Sequence, residues 1–357
     1  MPFDYDKLKV LQMRCGGKVE NMIEQKIKQK ATELGYLACG IIPTSSFEEY
    51  TQALDERVKE FPQSEKLYKE FYEFVNQPLE GKSVIVCTQR FNNYKPIESL
   101  EGLVAKCYQF DCRMPYAYEK RDKIEFEAYL KGLGINVLED VTVPDRWAAV
   151  KAGIGEFGRN NFVYDKEHGS NIWIETWVVD QELEADAVKE NYLMVDCVEG
   201  CNRCIVSCPT KALSEQFTMD MGKCITYLFC NFEEEAHINL RDKMQRWIYG
   251  CDVCQDVCPR NRNKYNEKDE FPLLTDHAER LSLESILDMD EKTYKNTIHP
   301  RFWYVGEEGL PLWKYNALRA MINSGEEKYH SYIKKYCSHE NPYIKELATW
   351  GWERVNP

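Results

Sequence analysis

The spacing of eight of its fifteen cysteines constrains this 357-residue chain more than any other feature. Seven fall in two runs, Cys197-x3-Cys201-x2-Cys204-x3-Cys208-Pro209 and Cys251-x2-Cys254-x3-Cys258-Pro259, and Cys224 stands between them. An iron–sulfur cube needs four converging thiolates, and short CxxC loops turn successive sulfurs inward. In two-cluster proteins the cysteine before proline ligates the other cluster of the pair. That rule assigns one [4Fe–4S] cluster to Cys197, Cys201, Cys204 and Cys258, and a second to Cys208, Cys224, Cys251 and Cys254. Three residues separate Cys197 from Cys201, one more than in the simple ferredoxin run, and the glycine-containing loop Val198–Gly200 absorbs the extra one. Paired CxxC loops also build four-cysteine zinc sites; the two Cys-Pro endings and the interlocked spacing favour clusters. Two close clusters make an electron wire rather than a single-site catalyst.

The other cysteines, Cys15, Cys39, Cys87, Cys107, Cys112, Cys230 and Cys337, have no ligand spacing and read mostly as small buried apolar side chains. Fifteen thiols suit a reducing compartment better than a disulfide framework. The first residues, MPFDYDKLKV, lack a basic start followed by an apolar core, so no secretory signal is expected. No run approaches the roughly 18 apolar residues of a membrane helix, so a cytoplasmic, non-membrane protein is expected. The net charge of -13 argues against a general nucleic-acid binder. It leaves room for a local basic patch such as Arg260, Arg262 and Lys264, just after the last cluster cysteine, or Lys334 and Lys335 near the C-terminus.

Before the cysteines, helical and strand patterns alternate. Ile23, Ile27, Ala31 and Leu34 give residues 21–34 a helical face, stopped by Gly35. An apolar stretch, Tyr36–Ile42, follows. Ser83–Thr88 and Asn171–Val179 read as strands, 121–133 as a helix and Ile135–Leu138 as a short strand. Ala148–Gly155 reads as a helix running into a glycine turn. The alternation suggests an α/β or α+β domain up to about residue 190. Residues 311–357 carry two short helical patterns, around Leu318, Met321 and Ile322 and around Tyr343, Leu347 and Trp350.

Two longer stretches resemble the epoxyqueuosine reductases, relatives of the reductive dehalogenases. One is Asp220-Met-Gly-Lys-Cys224-Ile-Thr-Tyr-Leu228 with Arg246-Trp-Ile-Tyr-Gly-Cys251 through Asn261. The other is Asp145-Arg-Trp-Ala-Ala-Val-Lys-Ala-Gly-Ile-Gly-Glu-Phe-Gly-Arg-Asn160, similar to the family's AGLGWxGKN segment, with Gly169-Ser170 beyond it. The resemblance implies a nitroreductase-like cobalamin domain over residues 1–190, a double-cluster ferredoxin-like domain over 191–268 and a HEAT-like helical tail over 269–357. It implies cobalamin beside the two [4Fe–4S] clusters, an external low-potential electron donor and a tRNA substrate. The clusters would pass electrons to the cobalt, the reduced corrinoid would act on the substrate, and a carboxylic acid would deliver a proton. The outcome is loss of the epoxide oxygen that completes queuosine.

The residues implied for these roles follow from the same alignment. The family's catalytic aspartate falls on Glu139 without a gap and on Asp140 with one deletion. Gly153, Gly155, Gly158, Arg159, Asn160 and Ser170 are implied at the cobalamin, where glycines allow close approach of backbone to a flat macrocycle. Gly153, Gly155 and Gly158 also match the G-x-G-x-x-G dinucleotide pattern, but they follow a helical pattern instead of opening a helix after a strand. The chain lacks the DxHxxG motif by which some corrinoid proteins replace the lower base with histidine; His168 sits in DKEHGS. The family's GRDYH-like stretch is replaced by Gln109-Phe-Asp-Cys-Arg-Met-Pro-Tyr-Ala-Tyr118. That difference favours a paralogue reducing a small molecule, in the manner of a dehalogenase, as an alternative. A two-cluster electron-transfer protein with no substrate of its own is another.

Overall fold

The computed structural model describes residues 23–44, 47–73, 81–139, 141–187, 197–231, 235–262 and 269–356. Helix α1 (Ile23–Glu33) buries Ile27 and Ala31, one turn apart, and Gly35 ends it at a φ of 89°. Strand β1 (Ala38–Pro43) takes up the apolar stretch, and α2 (Glu48–Glu60) and α3 (Glu65–Glu70) follow. Strand β2 (Ser83–Arg90) is buried along its first seven residues. Helices α4 (Tyr118–Gly132) and α5 (Asp145–Lys151) lead to a short hairpin of β3 (Glu156–Phe157) and β4 (Val163–Tyr164). Strand β5 (Ile172–Val179) completes the sheet.

The three long strands pair antiparallel in the order β1-β2-β5. One face packs Ile41, Ile85 and Trp177 against Ile27 of α1 and Phe126 and Leu130 of α4. The other packs Val84, Val86 and Val178 against Ala148 and Ala149 of α5. A central strand covered on both faces gains from apolar residues at every position, which is why β2 reads as an unbroken run. The strand expected at Ile135–Leu138 is reduced to a single bridge between Val137 and Val179. The Leu138 N–H still reaches the Val178 carbonyl at 2.9 Å, and Pro144 is the N-cap of α5.

The short helices of the cysteine region include α6 (Arg203–Ser207), α7 (Glu235–Leu240) and α8 (Val253–Asp256), with α6 packed on α8. The two helical patterns near the C-terminus become α9 (Leu310–Ser324) and α11 (Pro342–Val355), with a further helix, α10 (His330–Tyr336), between them. Helix α9 buries 11 of its 15 residues, the mark of a helix inside a core. Its apolar side chains share one cluster with Phe91, Leu103 and Phe110 from the first half and Phe229 and Tyr249 from the cysteine region.

The polar residues of α9 hold backbone. Fully buried Arg319 donates to the carbonyls of Gln245, at 3.1 Å, and Trp247. The Asn316 amide donates to the Phe229 carbonyl at 2.8 Å, and Asn323 reaches the carbonyls of Arg241 and Gln245, each at 2.8 Å. The bonds to Arg241, Gln245 and Trp247 satisfy carbonyls of a stretch of chain without helix or strand, and that stretch leads into Cys251. Among the described residues, no helix is long and apolar enough to cross a membrane.

Candidate cluster sites and the groove beside them

Cys204 lies in α6 and Cys254 in α8, and each helix ends at a Cys-Pro pair. A residue before proline is pushed out of the helical region. Cys208 and Cys258 accordingly adopt extended backbone, with ψ of 115° and 122°. Each Cys-Pro cysteine therefore leaves its own helix and can face the opposite run.

The thiols then divide into two sets. Burial pushes the Cys254 thiol up, and the sulfurs of Cys251, Cys224 and Cys208 push it further. Cys251 is raised by burial and by Cys224 and Cys208, and Cys224 by burial and by Cys208. Cys204 instead feels Cys197 and Cys258. Cys201 lies on the turn between Cys197 and Cys204. Thiols that face one another repel as thiolates and need a cation among them. Among the described residues, no three His, Cys, Asp or Glu side chains form a group that could hold a single metal ion. The residues fit two cubane clusters.

The two sets differ in depth. Cys208 is buried, and half-buried Cys224, Cys251 and Cys254 adjoin the buried residues Ile225, Asp252 and Gln255. The Cys197 loop and α6 lie at the surface, with Val198 62% and Val206 60% exposed.

Several residues implied at the cobalamin hold this cluster region to the sheet. The Arg159 guanidinium donates to the Cys201 carbonyl. Buried Asn160 donates to the Tyr164 hydroxyl at 2.9 Å and to the Cys254 carbonyl at 3.3 Å. The Ser170 hydroxyl donates to the Gln255 side chain at 2.9 Å, and its N–H to Asn261 at 2.9 Å. The Tyr164 phenol lies against Cys258, and burial, then that thiol, raises its pKa. Hydrogen bonds to cluster sulfurs are a means by which protein tunes their potential.

The glycines have local tasks. At Gly153, with a φ of 72°, α5 ends in a Schellman turn: the Ile154 N–H reaches the Ala149 carbonyl at 3.1 Å and the Gly153 N–H that of Val150 at 3.0 Å. A Cβ on Gly155 would lie 2.4 Å from Val163, and one on Gly158 2.4 Å from the Tyr164 ring. The close approach that these two glycines permit is to β4. Only Gly153 faces open space.

Sequence reading missed a groove of about 410 Å³ between α2, α3 and the chain before Cys224. Tyr50, Trp147, Phe157, Met219 and Met221 give it apolar walls, with Arg57 and Arg146 beside them. Met219 also packs on the small cluster of Cys208, Ala212 and Leu213, against which Cys204, Cys224 and Cys254 pack too, so the groove wall and the thiols share one apolar cluster. A flat macrocycle with apolar faces and a polar rim suits such a lining in kind.

Of the expected acids, Glu139 is exposed, and Asp140 lies outside the described residues. Asp145, the first residue of α5 and next to Arg146, was not singled out. Solvent reaches it, yet it is ringed by protein, and this desolvation raises its carboxyl above the usual aspartate range, opposed by a 2.7 Å hydrogen bond from Thr176 and by Lys123 and Arg146.

Of the basic residues, Arg260 stacks over Tyr164 at 5.2 Å and Arg262 is exposed; Lys264 lies outside the described residues. Lys334 sits over Trp352, and Lys335 is 3.9 Å from Asp288. In the divergent 109–118 segment, Arg113 is paired with Asp111 at 2.6 Å and lies against Trp173, Trp303 and Tyr304. Burial pushes up the thiols of Cys107 and Cys112, as for inert structural cysteines.

Fold and thiols together define a double-cluster iron–sulfur oxidoreductase. Residues 196–261 match the family model of the 4Fe-4S double cluster binding domain. An epoxyqueuosine reductase of Cellulophaga algicola is 30% identical over 297 residues, 78% of this chain and 94% of the relative. The epoxyqueuosine reductase structure from Streptococcus thermophilus superposes with a TM-score of 0.70 at 21% identity, over 93% of this chain and 90% of that one. Another, of an epoxyqueuosine reductase with an epoxyqueuosine-modified tRNA-Tyr stem loop, gives 0.69 at 20% identity, over 94% and 90%. The chain belongs to the epoxyqueuosine reductase family.

Proposed function

We propose that this chain is a cobalamin-dependent reductase that removes the epoxide oxygen of epoxyqueuosine in tRNA. The observation that carries the reading is the groove: it lies on the sheet-containing half of a member of this family, and Met219 joins its wall to the apolar cluster that contains Cys208. The net reaction takes two electrons and two protons, breaks both C–O bonds of the epoxide, and releases water and the alkene.

When bound, cobalamin supplies a strongly reducing, nucleophilic cobalt. The chain's own residues would hold the macrocycle between Tyr50, Trp147, Phe157 and Met219, with Arg57 and Arg146 at its polar edge. Clusters held by the two sets of thiols would supply electrons one at a time. Protons come from the acids leading into α5: Glu139 and Asp140 on the family alignment, and Asp145, whose raised pKa lets it hold a proton nearer neutrality. A tRNA backbone would meet Arg262 beside the clusters and Lys334 on α10.

The test is anaerobic incubation with cobalamin, a reductant and tRNA bearing epoxyqueuosine, followed by mass spectrometry of the nucleosides. Queuosine, one oxygen lighter, is expected only when cobalamin is present. A protein that binds and reduces cobalamin yet leaves epoxyqueuosine intact would favour the small-molecule reading, for which the Arg113–Asp111 pair among aromatic rings offers a recognition element.

A further inference from the structure

Two cysteines that neither cluster uses face each other across the sheet. Cys39 of β1 and Cys87 of β2 are paired in register. Pairs along an antiparallel ladder alternate between hydrogen-bonded and non-hydrogen-bonded sites, and side chains come closest at the second kind. The backbone of Ile41 shows which kind this is. Its N–H donates to the Asp186 carboxylate at 2.9 Å, and its carbonyl accepts from the Asp186 N–H at 2.9 Å. Ile41 therefore turns its backbone groups away from β2, and Ile41–Ile85 is a non-hydrogen-bonded pair. Cys39–Cys87, two residues along, is of the same kind. The other side of β2 agrees. The Phe91 N–H donates to the Asn171 carbonyl of the neighbouring chain at 3.1 Å, and steps of two from Phe91 direct the backbone groups of Cys87 to Glu175 of β5, away from β1.

At such a site the Cα atoms lie about 4.5 Å apart, inside the range of about 4.4–6.8 Å that a disulfide spans. Both side chains lie on the sheet face that packs against α1 and α4. Cys87 is fully buried on the centre strand, and Cys39 is half-buried on the edge strand. Burial first, then a hydrogen bond with the Cys39 thiol, holds the Cys87 thiol well above the usual range. The two thiols are thus in contact but unequal: Cys39 keeps some exposure, and Cys87 is a protonated neighbour behind it.

We infer that Cys39 and Cys87 are a reversible disulfide site, oxidised through Cys39 by a small-molecule disulfide of the glutathione type. The Cys39 thiolate attacks one sulfur of the small disulfide, whose S–S bond breaks as one small thiol leaves. Cys87 gives up its proton and attacks the Cys39 sulfur, expelling the second small thiol. One S–S bond breaks and one forms; the protein loses two electrons and two protons, and both leave on the two small thiols. The link closes the chain from β1 through α2 and α3 to β2 into a loop. The inference rests on the pairing of the sheet and on neither the clusters nor the substrate.

The test equilibrates anaerobic holoprotein in glutathione buffers of rising oxidised fraction, quenches with acid, alkylates free thiols and maps the digested peptides by mass spectrometry, with iron measured alongside. The expected product is the Cys39 peptide joined to the Cys87 peptide, rising with oxidised glutathione at constant iron and lost on adding dithiothreitol. In Cys87→Ala, Cys39 should instead retain a glutathione adduct; in Cys39→Ala, Cys87 should stay unmodified. Alkylation of both wild-type thiols at every buffer ratio would overturn the site. So would a lasting glutathione adduct on wild-type Cys39 with Cys87 left free, or a Cys39–Cys87 link that forms only as iron is lost. An adduct on Cys87 in Cys39→Ala would overturn entry through Cys39.

Discussion

His237 gives a pH dependence whose sign and size follow from the structure. Its side chain on α7 is fully buried, and neither ring nitrogen has a hydrogen-bond partner among the described residues. It packs edge-on to Tyr315 of α9, at 5.2 Å between ring centres. Burial first, then the charges of Arg319 and Arg241, holds its pKa down to about 3, against about 6.5 in an unfolded chain. Between those values the unfolded chain binds a proton that the folded chain refuses, so stability falls as pH falls. The contribution is whole above about pH 6.5 and drains away toward pH 3. At pH 5.5 unfolded His237 is about 90% protonated, which costs folding about 1.4 kcal/mol relative to pH 7.5. His237→Leu keeps an apolar side chain of similar bulk and removes the titration. Anaerobic guanidinium titrations at pH 7.5 and 5.5 should show wild type losing about 1.4 kcal/mol more than the variant. The same pH response in both proteins would refute a buried neutral imidazole at this position.

Three further outcomes are expected. Arg319→Met removes both guanidinium donors to the chain before Cys251 and should cost about 2–4 kcal/mol, with iron lost first from the deeper cluster; calorimetry and iron analysis check this. Asp145→Asn should lower turnover on epoxyqueuosine by about 100-fold or more with both clusters retained. If Asp145 is the acid, the wild-type rate falls as pH rises through its raised pKa, and the variant loses that alkaline limb. Arg262→Gln should flatten the slope of log affinity for tRNA against log salt by about 0.7–0.9, the mark of one lost phosphate contact, without bleaching the clusters; an unchanged slope removes Arg262 from the tRNA face.

What the sequence reveals depends on the range over which each signal acts. Cluster thiols are spaced by local loop geometry, and proline's effect on the residue before it is local too, so the extended backbone of Cys208 and Cys258 follows from the sequence alone. The apolar runs of β2 and β5 likewise announce themselves. The glycine segment was harder. Spacing shows that backbone approaches something closely at Gly155 and Gly158, but not that the neighbour is Val163 or Tyr164 of the next strand. Asn160 and Ser170 find partners at Cys254 and Gln255, more than 80 residues away, and no periodic pattern records that. The groove is formed by segments from α2 to Met221 and has no sequence signature of its own. One signal was available: Asn316, Arg319 and Asn323 lie at helical spacing within an otherwise apolar helix, a sign of polar side chains serving backbone inside a core.

The interleaving of the eight thiols is tested most directly by iron and sulfide analysis of two double serine variants, C197S/C258S and C197S/C254S, after anaerobic reconstitution. If Cys197 and Cys258 share the outer cluster while Cys254 belongs to the deeper one, C197S/C258S keeps about four iron and four sulfide per chain and C197S/C254S keeps neither cluster. Loss of both clusters in C197S/C258S, with one retained in C197S/C254S, would contradict the crossed arrangement and the electron path built on it.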